Sequence, residues 1–244
     1  MLHYNLIKKI INGLLPTTCV LCGSAARQNI DLCAPCQADM PWVGSVCKLC
    51  ALPMSANDTN QSVCGKCLHW PPPFTKTFAL CRYEAPLDYL ITAIKFNHKL
   101  VYARLLGELL ADYLTTQYQN DAIPELIIPV PLHPQRLRER GFNQALEIAR
   151  PVAKKLAIKM DFKSCHRIRP TQAQASLSAD ERAQNVKQAF QIKLDLKAKH
   201  IAVLDDVITT GLTMHAFCEQ LQNNGIERID VWCCARTPLH SNKL

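Results

Sequence analysis

The chain has 244 residues, enough for one small and one medium domain, and its 48% hydrophobic content can build a real core. Its net charge of +8 and pI near 8.9 point to an anionic partner, a nucleic acid or a phosphorylated metabolite, without choosing between them. Thirteen cysteines, an odd total, with no recognisable secretory signal exclude a disulfide scaffold and imply a reducing, cytoplasmic setting.

In chain order, residues 1–15 place Leu2, Leu6, Ile10 and Leu14 on one side of a short amphipathic helix, with Ile7 and Ile11 beside them. Lys8 and Lys9 interrupt it, so it is neither a signal peptide nor a stable membrane insertion; docking on the folded body is its expected role, with membrane contact the lesser alternative. Residues 16–70 are a cysteine-rich segment with four Cys-x-x-Cys knuckles: Cys19/Cys22, Cys33/Cys36, Cys47/Cys50 and Cys64/Cys67. The spacing is that of metal ligands, and a segment so short and loop-rich needs metal for its stability. The simplest grouping is sequential, the first four cysteines on one ion and the last four on another. An interleaved cross-brace uses the same ligands. Four thiolates with no open position fit structural Zn²⁺, one or two ions; an iron–sulfur cluster or a redox pair is the alternative chemistry. Cys81, Cys165, Cys218, Cys233 and Cys234 sit in apolar contexts, as buried thiols do.

Pro71-Pro72-Pro73 makes 71–77 a stiff linker, and strand and helix signals alternate through the second domain, 78–244. Strands are predicted at 78–83, 125–130, 199–204 and 228–235, and helices at 86–96, 100–118, 142–156 and 214–221. Such alternation predicts an α/β fold, a mostly parallel sheet flanked by helices. The 126–130 strand runs into Pro131-Leu132-His133-Pro134-Gln135-Arg136, read as a loop, with Arg136, Arg138 and Arg140 adding positive charge. A solvated basic turn is its ordinary reading. Gly141 and Asn143 are cap-type residues at the next helix start, and Lys95 either faces an anion or snorkels at the surface. Residues 165–185 form a polar stretch suited to a mobile lid, with an ordinary surface loop and helix as the equal alternative.

The most specific stretch is 203–213, Val-Leu-Asp-Asp-Val-Ile-Thr-Thr-Gly-Leu-Thr. A buried strand delivers two carboxylates, a hydroxyl-glycine turn follows, and a helix begins. A helix N-terminus offers free N–H groups and a favourable dipole to a phosphate. Gly211 permits close approach or positive φ, and Thr209, Thr210 and Thr213 can add hydroxyl donors. Asp205 and Asp206 repel phosphate but accept from vicinal ribose hydroxyls, or contact a Mg²⁺ bridging hydroxyl and pyrophosphate oxygens. The order therefore suits a phosphorylated sugar at the carboxyl end of a parallel strand. The ordinary alternative is a βα turn with a Thr N-cap.

This stretch resembles the PRPP-binding motif of type I phosphoribosyltransferases. Taken with the four knuckles, Pro-Val-Pro-Leu at 129–132 and Arg-Gly-Phe-Asn-Gln at 140–144, the chain resembles the ComF/GntX family of competence proteins. The resemblance implies a type I phosphoribosyltransferase-like sheet behind a double zinc ribbon. It implies PRPP and Mg²⁺ held by Asp205, Asp206, Val207, Thr209, Thr210, Gly211, Leu212 and Thr213, with the two aspartates as the catalytic pair. It implies pyrophosphate cradled by the loop of Pro131, Arg136 and Arg140. Arg167, with Arg169 and Thr171, would contact that pyrophosphate from a lid, and Asn143 and Gln144 would face the site. Two functions follow. One is PRPP and single-stranded DNA binding in natural transformation, with contacts to DNA-uptake or recombination proteins and base stacking on Trp42, Trp70 and Phe74. The other is transfer of phosphoribose to an unidentified acceptor with release of pyrophosphate and no DNA role; base-recognition residues of salvage enzymes are not recognisable.

Overall fold

The structure is a computed structural model describing residues 18–26, 30–54, 62–169, 189–193 and 197–238; the helix expected at 1–15, Thr171 and most of the predicted lid lie outside them. Five parallel strands form the sheet: β1 (Lys76–Arg82), β2 (Leu126–Pro129), β3 (Lys159–Met160), β6 (His200–Ile208) and β7 (Arg228–Arg236). Their order is β1-β7-β6-β2-β3, and β4 (Cys165–Arg167) and β5 (Phe190–Ile192) make a separate antiparallel pair. Helices α1 (Ala34–Ala38) and α2 (Gly65–His69) lie in the cysteine-rich segment. Then come α3 (Leu87–Asn97), α4 (Leu100–Gln117), α5 (Pro134–Arg140), α6 (Gln144–Leu156) and α7 (Leu212–Asn223).

The core has two sides because strand side chains alternate. On β6, Ala202 and Leu204 join the cluster built with α3, α4 and α6; Ile201 and Val203 join the cluster built with α7. All four are fully buried, which explains the continuous apolar run. Helices α4 and α6 pack unusually closely at Gly107. A Cβ there would fall within contact distance of the Ile148 carbonyl and the Pro151 ring, and the carbonyl cannot swing away. Gly107→Ala gains about 1 kcal/mol of helix propensity. Overpacking costs about 1–3 kcal/mol, and a main-chain clash sits at the upper end, so a net loss is expected. A lower urea midpoint checks it.

The first half of the cysteine-rich segment shares the main core, while Cys47, Leu52, Cys64 and Cys67 form a small cluster of their own. Leu32, Met40, Cys19 and Cys33 belong to the same buried cluster as Leu80 and Leu106. Residues between the second and third knuckles cover the free edge of β1: Arg82 N donates to Pro41 O at 2.8 Å and Val43 N to Leu80 O at 3.3 Å. An open edge is thereby closed. β1 itself starts at Lys76, inside the stretch read as linker.

Candidate functional site

At Leu204 the two neighbours of β6 part company. β2 pairs with it only as far as Pro129↔Leu204, whereas β7 continues to Ile208↔Arg236. Two connections also diverge here, β2 leading outward to β3 and β6 to β7, so a crevice opens where a doubly wound sheet binds ligands. The aspartate pair sits on its wall. Strand β6 runs through both carboxylates, four residues longer than the predicted strand's end at Leu204.

The cleft measures about 350 Å³, and Asp205, Asp206, Thr213, Arg136, Arg140 and Arg167 line it together with Lys95 and Gln144. Lys95 Nζ, near the end of α3, lies 2.7 Å from Asp206 Oδ2. Burial first, then the adjacent Asp206, pushes the Asp205 carboxyl up to about 8. Burial also holds the guanidinium of Arg140 below its ordinary value, with Arg136 next, and does the same to Arg167. The walls thus offer crowded cations to an anion and crowded carboxylates to a hydroxyl or a cation. Gln144 Nε2 and Arg167 Nε are buried donors that find no hydrogen-bond partner among the described residues.

Gly211 takes φ +80° and caps α7, so the turn uses the left-handed region that glycine tolerates. Leu212 N donates to Thr210 Oγ1 at 3.4 Å. Thr209 and Thr210 are exposed, while Val207 packs on the core and supplies main chain only. Pro131 is buried in a neighbouring groove, away from the cleft lining.

Several expectations change. Residues 134–140 are a helix, not a loop: Pro134 takes its first turn and Gly141, at φ +75°, its C-terminal cap. That pattern is the usual proline-start, glycine-stop signature and was legible in the sequence. Asn143 does both things the sequence offered: it is the N-cap of α6, accepting from Ala145 N at 3.0 Å and donating to Val130 O at 3.0 Å, and it lines the cleft beside Gln144. Cys165–Arg167, read as the start of a lid, is strand β4. Of the two readings of Lys95, the inward one holds; the helix phase that turns it to the cleft is fixed by packing of α3, which its sequence window does not reveal. The stacking candidates are largely engaged. Trp42 Nε1 donates to Gln37 O at 3.0 Å, Trp70 stacks on His215 at 3.8 Å, and Phe74 packs on the core. Phe96 is a more open ring, 66% exposed, with the Arg140 guanidinium 5.9 Å from its centroid.

The knuckles group sequentially. Within each set, Cys19/Cys22/Cys33/Cys36 and Cys47/Cys50/Cys64/Cys67, all four Sγ atoms lie within 4.8 Å of one another. Separations of 3.6 Å (Cys22–Cys33) and 3.7 Å (Cys50–Cys64) match the ~3.8 Å edge of a tetrahedron with Zn–S near 2.3 Å. Burial raises Cys19 and Cys47, but backbone N–H donors outweigh it and bring them to about 6 and about 7. By contrast, the adjacent Cys33 pushes the Cys36 thiol up and burial does the same at Cys67, the pattern of clustered sulfurs that need a cation to ionise together. These are two four-cysteine zinc-binding sites of the structural kind.

Residues 10–68 match the double zinc ribbon domain and residues 143–240 the phosphoribosyl transferase domain. Fold and site together therefore define a zinc-ribbon protein with a phosphoribosyltransferase-like sheet. The chain is 32% identical to the DNA utilization protein YhgH of Salmonella typhimurium over 226 residues, 91% of this chain and 98% of that one. It is 36% identical to competence protein F of Haemophilus influenzae over 180 residues, 71% and 78% of the two chains. It is 23% identical to competence protein ComFC of Bacillus subtilis over 239 residues, 87% and 92%. The chain belongs to the ComF/GntX family of competence proteins.

Proposed function

We propose that this protein binds Mg²⁺-PRPP at Asp205–Thr213 and single-stranded DNA on the basic surface around α5, acting on internalised DNA in the cytoplasm during natural transformation. The carrying observation is the cleft's unmet chemistry. An aspartate pair shares it with two buried N–H donors, on Gln144 and Arg167, that have no partner among the described residues. Buried donors are nearly always satisfied, and a pyrophosphate oxygen satisfies both. The carboxylates accept from the ribose hydroxyls. Asp205 and Asp206 would also hold the Mg²⁺, whose charge would offset part of the ligand's. On this reading residues 16–70 form the metal-bound part and 78–244 the ligand-binding part. Among the described residues no helix is long and apolar enough to cross a membrane.

Calorimetric titration with Mg²⁺-PRPP tests the first half: saturable binding is expected, and its absence overturns the reading. Pyrophosphate release in the presence of nucleobases or amines would instead favour transfer to an acceptor. The DNA half draws on two relatives' description as DNA utilization and competence proteins and on Arg136, Arg138 and Arg140 beside the exposed Phe96. Each phosphate contact on a single strand contributes a slope of roughly 0.7 in log K against log salt. Arg136→Ala with Arg140→Ala should flatten that slope by about 1.4 in filter-binding or anisotropy titrations. Salt-independent binding would sink the DNA assignment.

A further inference from the structure

We propose that Arg236 ties the second four-cysteine centre to the phosphate loop, so that metal on Cys47, Cys50, Cys64 and Cys67 and PRPP on residues 208–213 stabilise each other. The inference rests on the PRPP reading above and adds a positioning residue and a linkage to it.

Arg236 ends β7 and is only 3% exposed. Its side chain donates to main-chain carbonyls. Nε donates to Cys50 O at 3.0 Å; Nη1 donates to Ile208 O at 3.0 Å, to Thr209 O, and to Thr237 O at 3.1 Å. A buried guanidinium cannot lose its proton, so carbonyl dipoles must replace its hydration. Those dipoles come from two segments far apart in sequence. One carries a metal ligand, Cys50, and the other is the end of β6 leading into the phosphate loop. Displacing either leaves a buried cation short of acceptors, so each segment holds the other through the same side chain.

Two more contacts cross the same junction. Lys66, between the ligands Cys64 and Cys67, donates from Nζ to Thr210 O at 2.8 Å. Trp70 stacks on His215 of α7 with centroids 3.8 Å apart and planes 17° apart. The carbonyls of Ile208, Thr209 and Thr210 are thus turned toward two cations fixed to the metal side. In a trans peptide the N–H points opposite to its C=O. The amides of Thr209, Thr210 and Gly211 therefore project away from Arg236 and Lys66, the arrangement of consecutive N–H groups that an anion requires. Sequence inspection overlooked Arg236 because it lies 31 residues from Asp205 and looks like the end of a buried strand.

Linkage makes the coupling measurable from either side, because a ligand that tightens metal binding is itself tightened by metal to the same degree. The test uses the full chain loaded with zinc. A chromogenic chelator follows metal release, with and without saturating Mg²⁺-PRPP, and with Mg²⁺ alone as control. With the chelator competition brought to equilibrium, PRPP is expected to tighten one of the two ions by about fivefold or more, the lower end of ordinary coupling. Arg236→Gln should abolish that tightening and weaken PRPP binding by a similar factor, leaving the affinity for the other ion unchanged. Should this variant fail to fold, Lys66→Met serves, since it removes a contact at the surface, and a partial loss of the tightening is expected. Wild-type protein that binds PRPP yet holds both ions with unchanged affinity overturns the inference. If the wild type binds no PRPP, the functional reading fails first. Hydrogen exchange at Thr209–Gly211 then decides: protection that Arg236→Gln or Lys66→Met leaves unaltered overturns the coupling as well.

Discussion

Stripping zinc, or replacing Cys33 with serine, is expected to destabilise the whole protein and not only its N-terminal segment. Cys33 and Cys19 are metal ligands and also members of the main buried cluster, together with Leu32, Met40 and Leu80. Losing the ion frees a segment that also covers the edge of β1. Apparent zinc-binding free energies in small Cys-rich folds are about 10–16 kcal/mol near neutral pH, far more than the marginal stability of most domains. If the parallel sheet recovers part of the loss by folding alone, a deficit of about 5 kcal/mol would still lower Tm by roughly 10–20 °C for a chain of this size. Differential scanning calorimetry before and after chelation measures it. A single unfolding transition that shifts as a unit supports a shared core. An unchanged transition for the sheet, with only the cysteine-rich segment lost, would show the two parts to be independent.

That shared core is what the sequence concealed. The knuckles, the alternating strands and the acidic turn are local patterns, and period and spacing suffice to find them. The sequential metal pairing needed coordinates, because both groupings use the same eight thiols. Asp205 and Asp206 were legible as an acidic turn at the end of a strand, yet the rest of their cleft comes from elsewhere in the chain: Lys95 from α3, Arg140 from α5, Arg167 from β4. Each of these is an ordinary basic residue in its own window. The helix at 134–140 was available from Pro134 and Gly141, but the basic run drew the reading toward a solvated turn. Non-local packing decided Lys95, whereas a passed-over local signal decided α5.

Asp205→Asn should separate binding from stability by moving them in opposite directions. In the folded protein without ligand, burial and then Asp206 raise the carboxyl from 3.8 to about 8. A raised acid is one that the fold disfavours in its charged form, so the native state is penalised at neutral pH. The penalty is absent below about pH 4, grows between there and pH 8, and is full above it, because the unfolded chain ionises first. The near-isosteric amide never ionises and removes the penalty. The variant should therefore unfold at a higher temperature than wild type at pH 8, and the gap should close as pH falls toward 4. Binding should go the other way. A charged carboxylate acceptor contributes about 1.5–3 kcal/mol against about 0.5–1.5 kcal/mol for a neutral one, and the double variant Asp205→Asn with Asp206→Asn keeps two amide oxygens but loses both charges. Affinity for Mg²⁺-PRPP should then fall by roughly 10–10²-fold. Asp206→Asn alone also unpairs Lys95, so it should weaken binding without the gain in stability. A site that merely tolerates two acids would give the reverse for Asp205→Asn: no stabilisation at pH 8 and PRPP affinity intact by calorimetry. Stabilisation together with lost binding is the mark of carboxylates kept under strain for a ligand.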